Sequence, residues 1–201
     1  MAAKYILKIL TLGDTTVGKS SIVLRFSEDK FDDNQLTTIG INFITKYIKV
    51  ADSSVKVLIW DAVQDNFQNI SKQYYKGANG VLLIYDIGNR KSFERIDFWL
   101  KELKENNRKD ELLICLVGNK IDLEDKRVIT TEEGENYAKN NNILFFEVSA
   151  KTGKGVIELF NKVIGQIMDK VFEKEEGEDK VRLSSFLEKG DCREKSKRRC
   201  F

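Results

Sequence analysis

The sequence predicts an α/β fold, with a six-stranded, mostly parallel β-sheet that includes one antiparallel strand and carries helices on both faces. Short apolar segments alternate along the 201-residue chain with longer segments of helical periodicity, and this order is typical of layered α/β proteins. The segments 79–87 and 111–119 are apolar almost throughout, as in parallel strands that are buried on both faces.

The first half of the chain supplies three strands and one helix. YILKILTLG at 5–13 has the apolar composition of a buried strand, and GKSSIVLRFSED at 18–29 is predicted to be a helix. INFITKYIKV at 41–50 alternates apolar and polar residues, as a half-exposed strand does. VKVLIW at 55–60 follows the short turn ADSS, so we expect it to pair antiparallel with 41–50.

The second half of the chain continues the alternation. Apolar residues at helical spacing predict a helix over 92–107. Thr130 or Thr131 precedes two glutamates, which is the pattern of a capping box and predicts a helix over 130–141. ILFFEVSA is the last predicted strand, and an amphipathic pattern predicts the last helix over 155–172.

Helical periodicity stops at Phe172, and the residues beyond it are charged and polar. We therefore expect one folded domain over 4–172, long enough to build a hydrophobic core. Residues 173–201 are expected to form a flexible tail.

Composition excludes several classes of function. The chain has no histidine, which excludes a histidine base, a Ser-His-Asp triad and a histidine metal site. A net charge of +2 gives no indication of nucleic-acid binding. Three cysteines without a pairing pattern indicate a reducing compartment. No apolar run is long enough for a secretory signal or a membrane span, so we expect a cytoplasmic protein.

A phosphate-binding loop follows the first strand. GDTTVGKS at 13–20 matches the pattern G-x-x-x-x-G-K-[ST] between a predicted strand and a predicted helix. Backbone N–H groups of such a loop point at anionic oxygens, Lys19 brings a positive charge to the β- and γ-phosphates, and Ser20 offers a hydroxyl to Mg²⁺. The sequence therefore predicts a P-loop NTPase.

Two further polar segments, NKID at 119–122 and EVSAK at 147–151, each follow a predicted strand. Because open α/β sheets bind ligands at the carboxyl ends of their strands, we expect both segments near the phosphate loop. The Asp122 carboxylate can accept hydrogen bonds from N1–H and N2–H of guanine, a pair that adenine cannot donate. A site built on this pair can reject the wrong base by roughly 10⁴-fold or more.

GDTTVGKS, TTIG, WD, NKID and SAK, in this order and spacing, resemble the motifs of Ras-superfamily small GTPases. The segments IGINF (39–43), KVLIW (56–60), YYKGA (74–78) and LIYDI (83–87) resemble the Rab subfamily. The resemblance covers about residues 4–172. It implies a GTP-hydrolysing switch that binds GTP and GDP with Mg²⁺ and recruits effectors in vesicle-mediated membrane traffic.

The resemblance also implies a set of ligand residues. Those in the phosphate loop are Gly13, Asp14, Thr15, Thr16, Val17, Gly18, Lys19, Ser20 and Ser21. The implied Mg²⁺ ligands are Ser20, Thr38 and Asp61. The residues implied at the base are Phe31 at the guanine edge, with Asn119, Lys120, Asp122, Ser149, Ala150 and Lys151.

Protein partners follow from the same resemblance. Phe43, Trp60 and Tyr74 resemble an exposed aromatic triad that Rab effectors bind. The resemblance implies a monomer that works with a guanine nucleotide exchange factor, a GTPase-activating protein, effectors, a GDP-dissociation inhibitor and prenylation enzymes. It places the protein at the cytosolic face of endomembranes, with no nucleic-acid partner.

The segment after the third predicted strand departs from the family pattern. Rab proteins have D-T-A-G-Q-E here, whereas this chain has DAVQDNF at 61–67, one residue shorter and without glycine. In one alignment Val63 replaces the glycine and Gln64 is the catalytic, water-orienting glutamine. In the other, Gln64 takes the glycine position and Asp65 the glutamine position. We prefer the first alignment, because it leaves a glutamine followed by an acid.

The missing glycine predicts weak or absent GTP hydrolysis. Glycine lets its N–H approach the γ-phosphate closely and lets the backbone change conformation, whereas a β-branched Val63 is stiff. Misplacing a water-positioning group by about 1 Å can cost on the order of 10² in rate. Thr16, where relatives often have glycine, can also hinder an arginine finger. The alternative is that the loop takes another route and hydrolysis is ordinary.

The end of the chain, REKSKRRCF, combines a basic cluster with Cys200. A prenylated Cys200 would need a second membrane signal, since one lipid chain binds only marginally. The basic residues can supply it at roughly 1 kcal/mol each near an anionic surface. The ending is neither C-a-a-X nor the double cysteine that most Rab proteins carry, and the alternative is a solvated charged end.

Two other functions are alternatives to a hydrolysing switch. One is a guanine-nucleotide-binding pseudo-GTPase that serves as an interaction platform. The altered 61–67 segment favours this alternative only with respect to GTP hydrolysis. The other is a P-loop metabolic kinase, which the sequence disfavours because NKID and SAK would have no purpose there.

Overall fold

The computed structural model of the chain describes residues 3–33, 41–62, 72–106 and 112–194. Within these residues, six strands form one sheet in the order β2-β3-β1-β4-β5-β6. The strands are β1 (Tyr5–Leu12), β2 (Ile41–Val50), β3 (Ser53–Ala62), β4 (Gly80–Asp86), β5 (Leu113–Asn119) and β6 (Leu144–Val148). β2 pairs antiparallel with β3, and the other neighbouring pairs are parallel. The predicted mostly parallel sheet with one antiparallel strand is confirmed.

Helices connect the strands. They are α1 (Lys19–Glu28), α2 (Lys72–Tyr75), α3 (Arg90–Glu94), α4 (Ile96–Asn106), α5 (Thr131–Asn141) and α6 (Val156–Glu194), together with a 3₁₀ helix over Ile121–Lys126. None of the helices in the described ranges is long and apolar enough to cross a membrane.

The helix predicted over 92–107 is two helices in the structure. Arg95 separates α3 from α4, and α3 begins earlier than predicted because the Asn89 side chain caps it by accepting a hydrogen bond from the N–H of Ser92. The helix predicted over 130–141 is confirmed as α5. Its cap is Thr130 and not Thr131, since the Thr130 hydroxyl accepts a 3.1 Å hydrogen bond from the N–H of Glu133.

The last helix continues beyond Phe172, where the sequence pattern predicted its end. α6 runs from Val156 to Glu194. The added segment is rich in Glu and Lys, which favour helices, and the chain has no proline to stop it. The chain divides into a compact unit that ends at Gly165 and a second unit that begins at Gln166. The domain boundary at residue 172 stays a prediction.

The centre of the sheet is buried, and the predicted site lies at the edge where the parallel strands end. β4 is buried at every position from Gly80 to Tyr85, as expected for a central strand with helices on both faces. On one face, Leu10 and Trp99 belong to a cluster formed with α2, α3 and α4. Because the parallel strands end at the same edge, the loops after β1, β3, β5 and β6 meet there.

Candidate nucleotide-binding site

The phosphate loop adopts a conformation that its glycines permit. Gly13 and Gly18 have φ angles of 142° and 93°, in the left-handed region that favours glycine. A Cβ atom on Gly18 would lie 2.3 Å from the amide nitrogen of Asn119, and one on Gly13 would lie 2.0 Å from the carbonyl oxygen of Ile84. Glycine at these two positions lets the loop pack against β4 and β5.

Thr16 lies in the same loop with a φ of 63°. A residue with a β-branched side chain rarely adopts this conformation. The strain gives a physical reason why a glycine is favoured at this position in the family that the sequence resembles.

Lys19, the first residue of α1, turns back over the loop. Its ammonium donates hydrogen bonds to the carbonyl oxygens of Gly13 (3.1 Å) and Asp14 (2.7 Å), and the residue is only 8 % exposed. Burial lowers the pKa of Lys19 to about 8, against the opposing effect of the Asp61 and Asp14 carboxylates. The loop thus holds a single, poorly hydrated cation where the sequence predicts the phosphates.

A hydroxyl and a carboxylate meet beside Lys19. The Ser20 hydroxyl donates a hydrogen bond to one carboxylate oxygen of Asp61, and the Thr11 hydroxyl donates to the other at 3.1 Å. Asp61 is buried. Hydroxyl and carboxylate oxygens are the hard donors that Mg²⁺ takes alongside phosphate and water oxygens, so this pair fits the metal that the sequence predicts.

Asn119 joins the two halves of the site. Its side-chain amide donates to the carbonyl oxygen of Val17 (2.8 Å), and its side-chain oxygen accepts from the N–H of Ala150 (3.1 Å). The residue is buried. One side chain therefore fixes the phosphate loop and the loop after β6 in a common position.

Asp122 and Ser149 also contact each other, as their predicted place in one site requires. The Ser149 hydroxyl donates a 2.5 Å hydrogen bond to Asp122 and accepts one of 3.0 Å from the N–H of Thr152. Asp122 is exposed to solvent, whereas Ser149 is buried. The hydrogen bond from Ser149 thus holds the Asp122 carboxylate in place, and this carboxylate remains accessible to a nucleotide base.

Lys120 has a partner that sequence reasoning missed. Its ammonium lies 2.8 Å from the carboxylate of Asp86, at the end of β4. The other oxygen of Asp86 accepts from the N–H of Gly88 at 2.9 Å. Asp86 ends a strand at the same edge as NKID, so the rule that predicted NKID could also have found it.

Arg25 of α1 is a second missed residue. Its guanidinium donates to the carbonyl oxygens of Ala150 (2.9 Å) and Lys151 (2.8 Å). Lys151 also forms a 3.5 Å ion pair with Asp33. No local sequence signal marks Arg25, since its partners lie far along the chain.

The carboxylate of Asp14 is turned toward α4. It forms a 3.0 Å ion pair with the guanidinium of Arg95 and accepts a 3.4 Å hydrogen bond from the indole of Trp99. The predicted contact of Asp14 with the nucleotide stays a prediction.

The expected exposed aromatic triad is only partly exposed. Phe43 is 56 % exposed and stacks on Trp60, which is half-buried. Tyr74 is 2 % exposed, so the expectation of an exposed tyrosine is wrong. Its ring packs edge-on against Trp60, its hydroxyl donates to the Trp60 carbonyl at 3.1 Å, and its own carbonyl accepts from Lys8 at 2.5 Å.

Some predicted residues lie outside the described part of the chain. These are Thr38, Gln64 and Cys200, whose predicted roles stay predictions. Phe31 is described and is half-buried.

Comparison with known proteins gives one family. The model of the Ras family matches residues 8–169. Ras-related protein Rab-18 of Lymnaea stagnalis is 44 % identical over 163 residues, or 81 % of this chain and 80 % of that protein. Rab-13 of Mesocricetus auratus is 36 % identical over 197 residues, covering 98 % and 97 %. Rab-10 of Diplobatis ommata is 40 % identical over 179 residues, or 89 % of each chain.

Proposed function

Since this chain belongs to the Ras family of small GTPases, in the Rab subfamily, we propose that it binds GTP and GDP with Mg²⁺ and regulates membrane traffic on the cytosolic face of endomembranes. The observation that carries the proposal is the position of Asn119. Its two buried hydrogen bonds join the phosphate loop to the base segments. Such a preformed, two-ended site suits a guanine nucleotide.

At the phosphate end, this chain's residues supply positive charge and orientation. Lys19 would exchange its loop carbonyl partners for phosphate oxygens, and the N–H groups of the loop would hold the same anion. Ser20 and Asp61 would hold Mg²⁺, which when bound neutralises charge on the β- and γ-phosphates. Because burial lowers the pKa of Lys19, a bound phosphate would stabilise the charged ammonium form and raise this pKa again.

At the base end, the chain selects guanine. The accessible Asp122 carboxylate would accept the N1–H and N2–H bonds, and Ser149 keeps it oriented through its 2.5 Å hydrogen bond. Lys120 is kept in place by Asp86. A ligand without the two donors leaves this carboxylate unpaired, which disfavours adenine.

We further propose that GTP hydrolysis is weak. The support is the sequence DAVQDNF, which lacks the family glycine and one residue. Intrinsic hydrolysis in this class is already slow, on the order of 10⁻⁴ s⁻¹ for Ras. A second candidate, a nucleotide-loaded interaction platform that does not turn over, is favoured by the same segment.

Single-turnover GTP hydrolysis tests both proposals. Purified chain is loaded with GTP and Mg²⁺, and bound nucleotide is followed by chromatography for hours. We expect GTP to bind and persist, and we expect decay to return when Ala62→Thr and Val63→Ala are combined with a glycine inserted before Gln64. Decay at an ordinary rate in the unmodified chain would overturn the claim of weak hydrolysis, and failure to bind GTP or GDP would overturn the switch itself.

The tail is the proposed membrane anchor. A prenyl group on Cys200 beside the basic cluster would give the two signals that stable membrane attachment needs. Mass spectrometry of protein from its native cell should show a prenylated C-terminal peptide. If that peptide is unmodified throughout, the anchor is not a lipid on Cys200.

A further inference from the structure

Helices α1 to α5 leave part of one sheet face exposed, as the described side chains on that face show. Strand register places three rows of side chains on this face of β1, β3 and β2. One row is Leu10, Trp60 and Phe43; the next is Lys8, Leu58 and Thr45; and the third is Ile6, Lys56 and Tyr47. The first row begins at Leu10, which is buried in the cluster of α2 to α4, but the second and third rows extend beyond it. We call these two rows the open sheet face.

Large apolar side chains on the open sheet face are exposed to an unusual extent. Ile6 is 62 % exposed and Tyr47 is 61 % exposed, which exceeds every other large hydrophobic side chain of the described residues. Leu58 lies between them in the adjacent row and is half-buried. Grouped exposure of this kind marks an interaction surface, whereas single exposed apolar residues are ordinary.

The charged residues at the paired positions of this face are all lysines. Lys56 stands between Ile6 and Tyr47, and Lys49 lies two positions beyond Tyr47 on β2. No Asp or Glu occupies a paired position in any of the three rows or in the next pair, Lys49 with Ser54. A partner that buries this face should therefore carry acidic groups around an apolar centre.

The dimensions of the face match a helix. Three neighbouring strands place the outer two about 10 Å apart, which is the diameter of a helix with its side chains. From Thr45 to Lys49, in the pair beyond the third row, the face extends roughly 14 Å along β2, equivalent to about nine helical residues. The same face is already covered by α2 to α4 beyond Leu10, so a helix is also what this sheet packs against elsewhere.

We propose that the open sheet face is a docking surface for an amphipathic helix of another protein that carries acidic residues beside its apolar stripe. The chain's own end, REKSKRR at 193–199, is basic and would be repelled. A second copy would bring lysine against lysine. The surface is distinct from the aromatic triad, since Ile6, Tyr47 and Lys56 belong to neither the triad nor the nucleotide site.

The test uses a designed partner of known chemistry. The probe is a stapled 14-residue helix with leucines at i, i+3, i+4 and i+7 and glutamates on both flanks, and its twin carries lysines instead. Fluorescence anisotropy measures affinity for the full-length chain as purified, and backbone-amide NMR shifts locate binding. The retained nucleotide is identified by chromatography, so that a failure of nucleotide binding is recognised separately.

We expect the acidic helix to bind at least tenfold more tightly than the basic twin and to shift the amides of Ile6, Tyr47 and Leu58. The double variant I6T/Y47T should lose at least tenfold in affinity. Phe98→Ser is the matched control, because Phe98 is also exposed, at 41 %, but lies on α4. Charge reversal in K49E/K56E should make the basic twin the better ligand.

Several results would overturn the proposal. These are equal affinity for both helices, unchanged binding by I6T/Y47T with unchanged thermal unfolding, or NMR shifts confined to another surface. Vesicles of phosphatidylserine are tested by sedimentation alongside. Vesicle binding that depends on Ile6 and Tyr47, without binding of the acidic helix, would assign the face to a membrane instead.

Discussion

The ammonium of Lys120 and the carboxylate of Asp86 form a 2.8 Å ion pair at the carboxyl edge of the sheet. Both side chains are partly buried, and Asp86 is further fixed by the N–H of Gly88. Lys120 itself has a φ of 71°, which is uncommon for a residue with a side chain. The ion pair therefore fixes the orientation of Lys120, a residue of the predicted guanine site.

Asp86→Asn should weaken GDP binding, because Lys120 loses its charged partner. We expect the dissociation constant to rise about tenfold, equivalent to ~1.4 kcal/mol. Dissociation of a fluorescent GDP analogue measures the effect. Asp52→Asn is the matched control, since Asp52 is exposed in the β2–β3 turn and makes the same change of charge. If Asp86 acts through Lys120, adding Asp86→Asn to Lys120→Ala should cause no further loss, whereas additive losses would contradict it.

Nucleotide affinity should decrease as the pH rises above about 8. In the free chain burial lowers the pKa of Lys19 to about 8, and a bound phosphate favours the charged ammonium. Above that pH binding must first protonate Lys19, so affinity falls by up to roughly tenfold per pH unit. Titrations between pH 7 and 9 measure it. In Lys19→Arg, whose guanidinium stays protonated, the same titration should be flat, and a flat profile in the unmodified chain would refute the assignment.

Asn119→Ala should destabilise the chain even without nucleotide. It leaves the Val17 carbonyl and the Ala150 N–H without their buried partner, at a cost of about 2–3 kcal/mol in the free energy of unfolding. Urea unfolding of nucleotide-stripped protein measures this cost. Asn140→Ala, on the exposed surface of α5, should change stability by much less. Equal effects of the two variants would show that Asn119 is not a structural link.

Tyr85→Phe should leave stability unchanged or raise it by about 1 kcal/mol. The Tyr85 hydroxyl is buried without a hydrogen-bond partner among the described residues. It fits because residue 118 is glycine, where a Cβ would lie 2.8 Å from this oxygen. Gly118→Ala should destabilise the chain, and Tyr85→Phe should relieve part of that loss. A clear loss of stability in Tyr85→Phe alone would mean that the hydroxyl is hydrogen-bonded in solution.

Sequence patterns predicted the parts of the site that depend on local order. The phosphate loop and NKID each follow a strand, and parallel strands end at one edge, so their meeting was predictable. The burial of Tyr74 was not, because it depends on how α2 lies over Lys8 and Trp60. Such tertiary contacts leave no periodic signal in the sequence.

Boundaries were predicted less well than elements, and for physical reasons. The end of α6 was misplaced because loss of amphipathicity does not end a helix that contains favourable residues and no proline. The break at Arg95 was missed because apolar spacing continues through it. Asp86 and Arg25 were missed because their partners lie in other segments of the chain.

The hydrogen bonds of Arg25 to the loop after β6 have a consequence for synthesis on the ribosome. The guanidinium and the Ala150 carbonyl that it holds are separated by 125 positions in the chain. The phosphate loop and α1 emerge early, but the base end cannot be secured until that later loop has left the ribosome. Closure over so long an interval is expected to be slow. A chain truncated between the end of α1 and Ala150 would therefore carry a phosphate loop without the contacts that complete a nucleotide site.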